Sequence, residues 1–347
     1  MRKEKNSNLV LMILVTGGTG LVGSHLLYKL TETEQVIRAT YRSDSKLNTV
    51  KHIFSYYSND YKKRFNSIEW VKTDITDIPK LTTAFSNVTH VYHCAALVSF
   101  NPKDYHKLRH VNIEGTANVV NLCIANGIKK LCYVSSIVTI GDPKNDGNIT
   151  EDCDWNKDND HHDYAISKYG AEMEVWRGTQ EGVDAVIVNP GIIVGPGFWN
   201  SSSSNLFKKV YKGISFYTTA IKGYVAVFDV VEAMIRLYNS NTKNQRFIVV
   251  SENLNLKSFL TQAANNLGVK PPKKEASKLM LEIAWRLDWL RCFLFSKERK
   301  ITKHLVNTLF SDRNYSSEKL LKTIDLKFTP VADSIALTSR LFLNDSL

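Results

Sequence analysis

The chain has 347 residues, enough for one large domain or two smaller ones around a substantial core. Its 43% hydrophobic and 23% charged residues exclude a disordered or low-complexity protein. The net charge of +11 favours anionic partners, yet the basic residues are scattered and form no arginine-rich arm, so nucleic acid is not expected among them.

The first element is the apolar run of residues 9–15, too short to span a bilayer. It leads into Gly17, Gly18, Gly20 and Gly23, not into a small-residue cleavage site, so a secretion signal is not expected. Its length suits a buried parallel strand. A helical pattern begins at Leu21. Strand, glycine turn and helix together hold a pyrophosphate. Gly17 permits the turn, Gly20 the approach of the backbone, and Gly23 close packing of the helix. The amides of Leu21, Val22 and Gly23 then face the anion.

A second strand, 35–42, ends in Arg42, with Lys46 close behind. An NAD site places an acid there for the ribose 2′-hydroxyl. A guanidinium matches a 2′-phosphate, so NADP(H) is expected over NAD(H), which stays open. Asp44 dissents but lies past the strand end.

The next strand leads to Asp74 and Ile75, where a loop can touch an adenine. A fourth strand ends in His93-Cys94-Ala95-Ala96, an amphipathic helix closes at Gly127, and a fifth strand ends in Ser135-Ser136. A sixth ends in Asn189-Pro190-Gly191, with Ile193 beyond; Pro190 stops the ladder and turns the chain. Alternating strands and helices predict an α/β doubly wound parallel sheet, the Rossmann fold, with ligands at the carboxyl ends of its strands. Five cysteines form no CxxC pair and no metal-ligand spacing with His161 and His162. The odd count fits a reducing compartment, so a cytoplasmic, metal-free protein is expected.

Tyr164 and Lys168 stand four apart on one predicted helical face, and Asn112 comes from the helix before. The ordered set TGGTGLVG (16–23), Asp74-Ile75, HCAALVSF (93–100), VNIEGTANVV (111–120), VSSIVTIG (134–141), YAISK (164–168) and NPGIIVGPG (189–197) resembles the extended short-chain dehydrogenase/reductases, the epimerase/dehydratase-like branch. Arg42 and the VSF segment resemble its dihydroflavonol-reductase-like and 3β-hydroxysteroid-dehydrogenase-like subgroup. His93 stands where asparagine is commoner. The resemblance implies that Tyr164 is the proton donor to a carbonyl, or the base toward an alcohol. It implies that Lys168 lowers the phenol's pKa from its usual ~10 and holds the nicotinamide ribose. Ser136 then bonds the substrate oxygen, and Asn112 anchors a water linking Lys168 to solvent. Ala95, Ala96 and Ser135 line the cofactor, and the backbone at Pro190, Gly191 and Ile193 lies over the nicotinamide.

After residue 197 the regularity drops. The serine run 201–204 reads as a mobile loop over the substrate. Residues 226–250 return to the sheet, so residues 1–197 with 226–250 form the dinucleotide domain. A discontinuous substrate lobe takes 198–225 and 251–347. The apolar stretch 278–295 contains Glu282 and Arg286 at helical spacing and reads as a core or cleft-lining helix, with an interfacial membrane helix, helped by Lys297, Arg299 and Lys300, as the alternative. Phe100, Phe198, Trp199, Phe207, Phe216, Tyr217 and Tyr224 supply an aromatic pocket suited to a small hydrophobic carbonyl or alcohol. The expected function is an NADPH-dependent carbonyl reductase. The alternatives are a nucleotide-sugar epimerase or dehydratase using the same residues, and a nucleotide sensor without catalysis, against which the intact Ser136, Tyr164 and Lys168 count. A homodimer stays open as an assembly.

Overall fold

The computed structural model describes residues 12–346 apart from 34, 144–146, 201–202, 296–298 and 300–301. Its strands are β1 (Met12–Thr16), β2 (Val36–Tyr41), β3 (Glu69–Lys72), β4 (His90–His93), β5 (Lys130–Val134), β6 (Ala185–Pro190), β7 (Ile192–Val194), β8 (Phe216–Tyr217), β9 (Ile221–Ala226), β10 (Gln245–Val249), β11 (Glu252–Asn255) and β12 (Lys274–Glu275). Seven of them form one sheet in the order β10-β6-β5-β4-β1-β2-β3, every pair parallel. The order reverses between β1 and β4, which opens a crevice at their carboxyl ends.

The central strands are buried on both faces. Ile13 and Val15 point into one core, with Leu26, Leu27, Val230 and Met234. Leu14 points into the other, with Leu81, Phe85, Val119 and Val175. This two-sided burial explains the unbroken apolar run in the sequence.

At Pro190 the chain leaves the large sheet. Pro190 registers with Val249, Gly191 donates its N–H to the Val249 carbonyl (3.1 Å), and β7 then joins β9 and β11 in a three-stranded sheet. Gly191 is required there, because a Cβ would stand 2.5 Å from the Gly223 carbonyl oxygen. A third core gathers Val194, Phe207, Tyr224, Phe259, Leu260, Val331, Ile335 and Phe342.

Three expectations are corrected here. The helix Lys278–Phe295 is neither core nor cleft lining: it has no buried residue, and it packs on the helix Lys303–Phe310. The helices Leu256–Asn266 and Val331–Ser346 fill the third core in its place. The serine run is not a free loop where it is described. Ser203 and Ser204 donate to the carbonyls of Ile193 and Gly195, and Ser204 is fully buried. Ser201 and Ser202 lie outside the described residues. Phe207 and Tyr224, expected in a substrate pocket, are core residues packed on Phe259.

Candidate active site

The glycine turn is built from backbone contacts. Gly17 has φ +70°, and a Cβ on it would lie 2.5 Å from the Ala95 nitrogen. The Gly20 N–H closes the turn on the Gly17 carbonyl at 2.9 Å, and Gly20 begins the helix Leu21–Leu30. Gly20 has no side chain, so the first amides of that helix carry no side-chain cap. A Cβ on Gly23 would stand 2.3 Å from the Gly17 oxygen, so this glycine sets the distance between helix and turn. Leu21 and Val22 bury their side chains, which leaves only their amides for a ligand.

The crevice is lined by Gly17, Gly20, Arg42, Lys46, Asp74, Ile75, Ala95 and Ala96. The Arg42 guanidinium pairs with the Asp74 carboxylate at 3.2 Å and stays half exposed. Asp74 also accepts from the Thr76 N–H and hydroxyl. Asp44 is drawn off to Lys72. A glycine cradle, uncapped helix amides and two cations fit a dinucleotide with anionic groups at this end.

At the carboxyl ends of β5 and β6 stands the helix Asp163–Gln180. His162 caps its N-terminus, its Nδ1 accepting from the Ala165 N–H at 3.0 Å. Tyr164, Lys168 and Glu172 follow at intervals of four along one face. Ser136 acts on the Tyr164 phenol to lower its pKa, and the rings of Phe100 and His162 lie 5.6 and 6.0 Å from the Tyr164 ring. Phe100 is thus the one predicted pocket aromatic with a ring contact to Tyr164 among the described residues.

Burial pushes the Tyr164 phenol up to about 12, with Ser136 pulling it the other way. Burial thus outweighs the expected depression of the phenol, and Lys168 makes its own hydrogen bonds elsewhere. Its Nζ donates to the Tyr133 hydroxyl at 2.6 Å and to the Val134 carbonyl at 2.9 Å. Burial lowers the Lys168 pKa to about 7, against the pull of Glu172 and Cys94.

Asn112 has a structural role, and Ser135 departs from expectation. The Asn112 side chain, in the π-helical turn Arg109–Glu114, accepts from the Leu97 N–H and donates to the Leu97 carbonyl and the Ser167 hydroxyl. It clamps the loop after β4 to the Tyr164 helix. Ser135 turns its hydroxyl away from the crevice, donating to Glu172 at 2.5 Å. Glu172 also accepts from Thr139, Asn189, Trp176 and Arg246. That buried carboxylate ties the ends of β5, β6 and β10 to the helix. Asn189 completes the tie by donating to the Ser136 carbonyl at 3.2 Å, which sets Pro190 and Gly191 beside Ser136.

Sequence reasoning missed this hub, although its spacing four residues past Lys168 was a visible signal. It also missed the chain behind Lys168. The Tyr133 ring stacks on His93 at 5.3 Å, His93 Nε2 meets Thr116 at 3.0 Å, and His93 Nδ1 meets Thr16 at 2.6 Å. Burial holds His93 neutral, its pKa lowered to about 3.

The sequence profile of the NAD dependent epimerase/dehydratase family matches residues 13–250. The chain belongs to that family. Among the family's relatives, a putative dihydroflavonol 4-reductase of Synechocystis sp. is 28% identical over 281 residues, 78% of this chain and 77% of its own length. Cinnamoyl-CoA reductase 1 of Petunia hybrida is 27% identical over 249 residues, 68% of this chain and 72% of its own. The solved UDP-glucose 4-epimerase of Thermotoga maritima superposes with a TM-score of 0.75 at 18% identity, over 97% of this chain and all of that one, which shows the fold. This family member is an NAD(P)-dependent oxidoreductase of the extended short-chain dehydrogenase/reductase type, acting on a small molecule. Among its described residues no helix is long and apolar enough to cross a membrane.

Proposed function

We propose that this oxidoreductase is an NADPH-dependent reductase of a ketone or aldehyde on a small hydrophobic or aromatic substrate. The observation that carries the reading is Ser136 acting on the buried Tyr164 phenol, with Lys168 one helical turn on, at the carboxyl ends of the strands. A bound nicotinamide supplies the hydride. Leu21, Val22 and Gly23 would hold its pyrophosphate by their amides, Ile75, Ala95 and Ala96 would line its site, and the backbone at Pro190, Gly191 and Ile193 would take the nicotinamide end. Arg42 and Lys46 favour the 2′-phosphate.

Ser136 donates to the carbonyl oxygen as negative charge develops there. Tyr164, protonated at neutral pH, delivers the proton to that oxygen. Lys168 is the nearby cation that steadies the phenolate left behind, and Asn112 fixes the loop after β4 to the Tyr164 helix. Phe100 offers an apolar wall beside the phenol. The reductases named among the relatives support this direction of reaction.

NADPH oxidation, followed with a panel of aldehydes, ketones and nucleotide sugars, tests the proposal. Tyr164→Phe is expected to lose at least ~100-fold in rate while NADPH binding stays unchanged, the scale of a lost general acid. Arg42→Asp is expected to shift preference toward NADH. Tight NADPH binding with no carbonyl turnover overturns the proposal. Oxidised cofactor retained through purification, with turnover of a nucleotide sugar, assigns the epimerase reading instead.

A further inference from the structure

We propose that the helix Lys278–Phe295 lays its apolar face on the surface of an anionic lipid bilayer, docking the protein there without crossing the membrane. Leu279, Ile283, Leu287, Leu290 and Leu294 recur at helical spacing and form one stripe, continued by Phe293. These are large apolar side chains left in solvent: Leu279 is 71% exposed, Leu287 61% and Phe293 73%. Trp289 stands beside the stripe, stacked on Phe293. Six such residues on one face exceed the scattered exposure that a soluble surface shows.

Charge identifies the occupant. Among the described residues of 270–303, eight Lys or Arg stand against three Asp or Glu, a local +5. The two acids on the helix are neutralised: Glu282 pairs with Arg286, and Asp288 with Arg291. An apolar face within a cationic surround suits acidic headgroups above acyl chains, with tryptophan at the boundary. A second copy of the same face would bring two such positive surrounds together, which repel. The helix is too charged to span, which places it on the bilayer and not through it. It packs on the helix Lys303–Phe310, whose Lys303 and His304 lie 4.0 and 3.7 Å from Asp160, two residues before His162.

Cosedimentation of the full chain with phosphatidylcholine vesicles, with and without phosphatidylserine, tests this. Binding to the phosphatidylserine vesicles is expected, weakened by salt and at least tenfold weaker for L287E/L290E. Both positions are exposed, and an unchanged melting curve and NADPH titration confirm that the variant folds. No vesicle binding at low salt overturns the proposal, as does binding that the variant leaves intact. A dimer in light scattering that the variant dissociates also overturns it, because a second copy then covers the face. No turnover enters the measurement, so the result stands apart from the reductase assignment.

Discussion

Tyr164 and Lys168 are legible in the sequence as a pair four residues apart, but their electrostatics are not. A phenol and an ammonium at that spacing suggest a depressed tyrosine pKa. Burial around both residues reverses this: the phenol rises to about 12, and the lysine falls to about 7. Lys168 is held by Tyr133, a β5 residue that carries no motif signal. Reduction by this arrangement needs the phenol protonated and Lys168 charged. The first holds throughout the neutral range, so the rate of reduction is expected to fall as pH rises through about 7. Tyr133→Phe removes the acceptor at 2.6 Å and favours neutral lysine. The alkaline limb of the kcat profile is expected to move to lower pH, with kcat down roughly tenfold and NADPH affinity unchanged. A fall in melting temperature with the limb unmoved would show Tyr133 to be structural only.

The glycine turn was legible as an element because its contacts are local: strand, bend and helix N-terminus lie within thirteen residues, 12–24. The structure separates the roles of its glycines. A Cβ on Gly23 meets backbone at 2.3 Å, whereas one on Gly20 finds only the Gly17 oxygen at 3.3 Å. Gly23→Ala is therefore expected to cost about 1–3 kcal/mol of stability, the range for overpacking, and to weaken NADPH binding. Gly20→Ala is expected to keep the melting temperature near wild type and to lose affinity alone. Thermal melts and NADPH fluorescence titrations separate the two, and equal losses of stability would contradict the assignment. The helix Lys278–Phe295 was misread for the opposite reason. Its apolar content is that of a core helix, and only the packing of its neighbours decides whether that face is covered.

Across the whole molecule, stability is coupled to pH through buried neutral histidines. His25, with Nε2 near the Pro196 carbonyl at 3.1 Å, is lowered to about 4 by burial, and His93 to about 3. Below the ordinary histidine pKa near 6.5 the unfolded chain takes up protons that the folded chain refuses, so stability falls as pH drops from there toward about 4. Each histidine contributes a slope of ~1.4 kcal/mol per pH unit in that window and none above it. Melting temperatures are expected to decline on acidification, less steeply for His93→Asn; equal slopes would show that His93 titrates freely. The sequence alone determined the parallel sheet, the phosphate turn and the pair Tyr164–Lys168, because each rests on strand or helix periodicity and near-neighbour spacing. Only the tertiary structure decided what Lys168 and Ser135 bond to, that Glu172 joins three strand ends, and which aromatics are core. Those outcomes depend on groups from Thr16 to Arg246 meeting in a low-dielectric interior, and no spacing along the chain encodes that meeting.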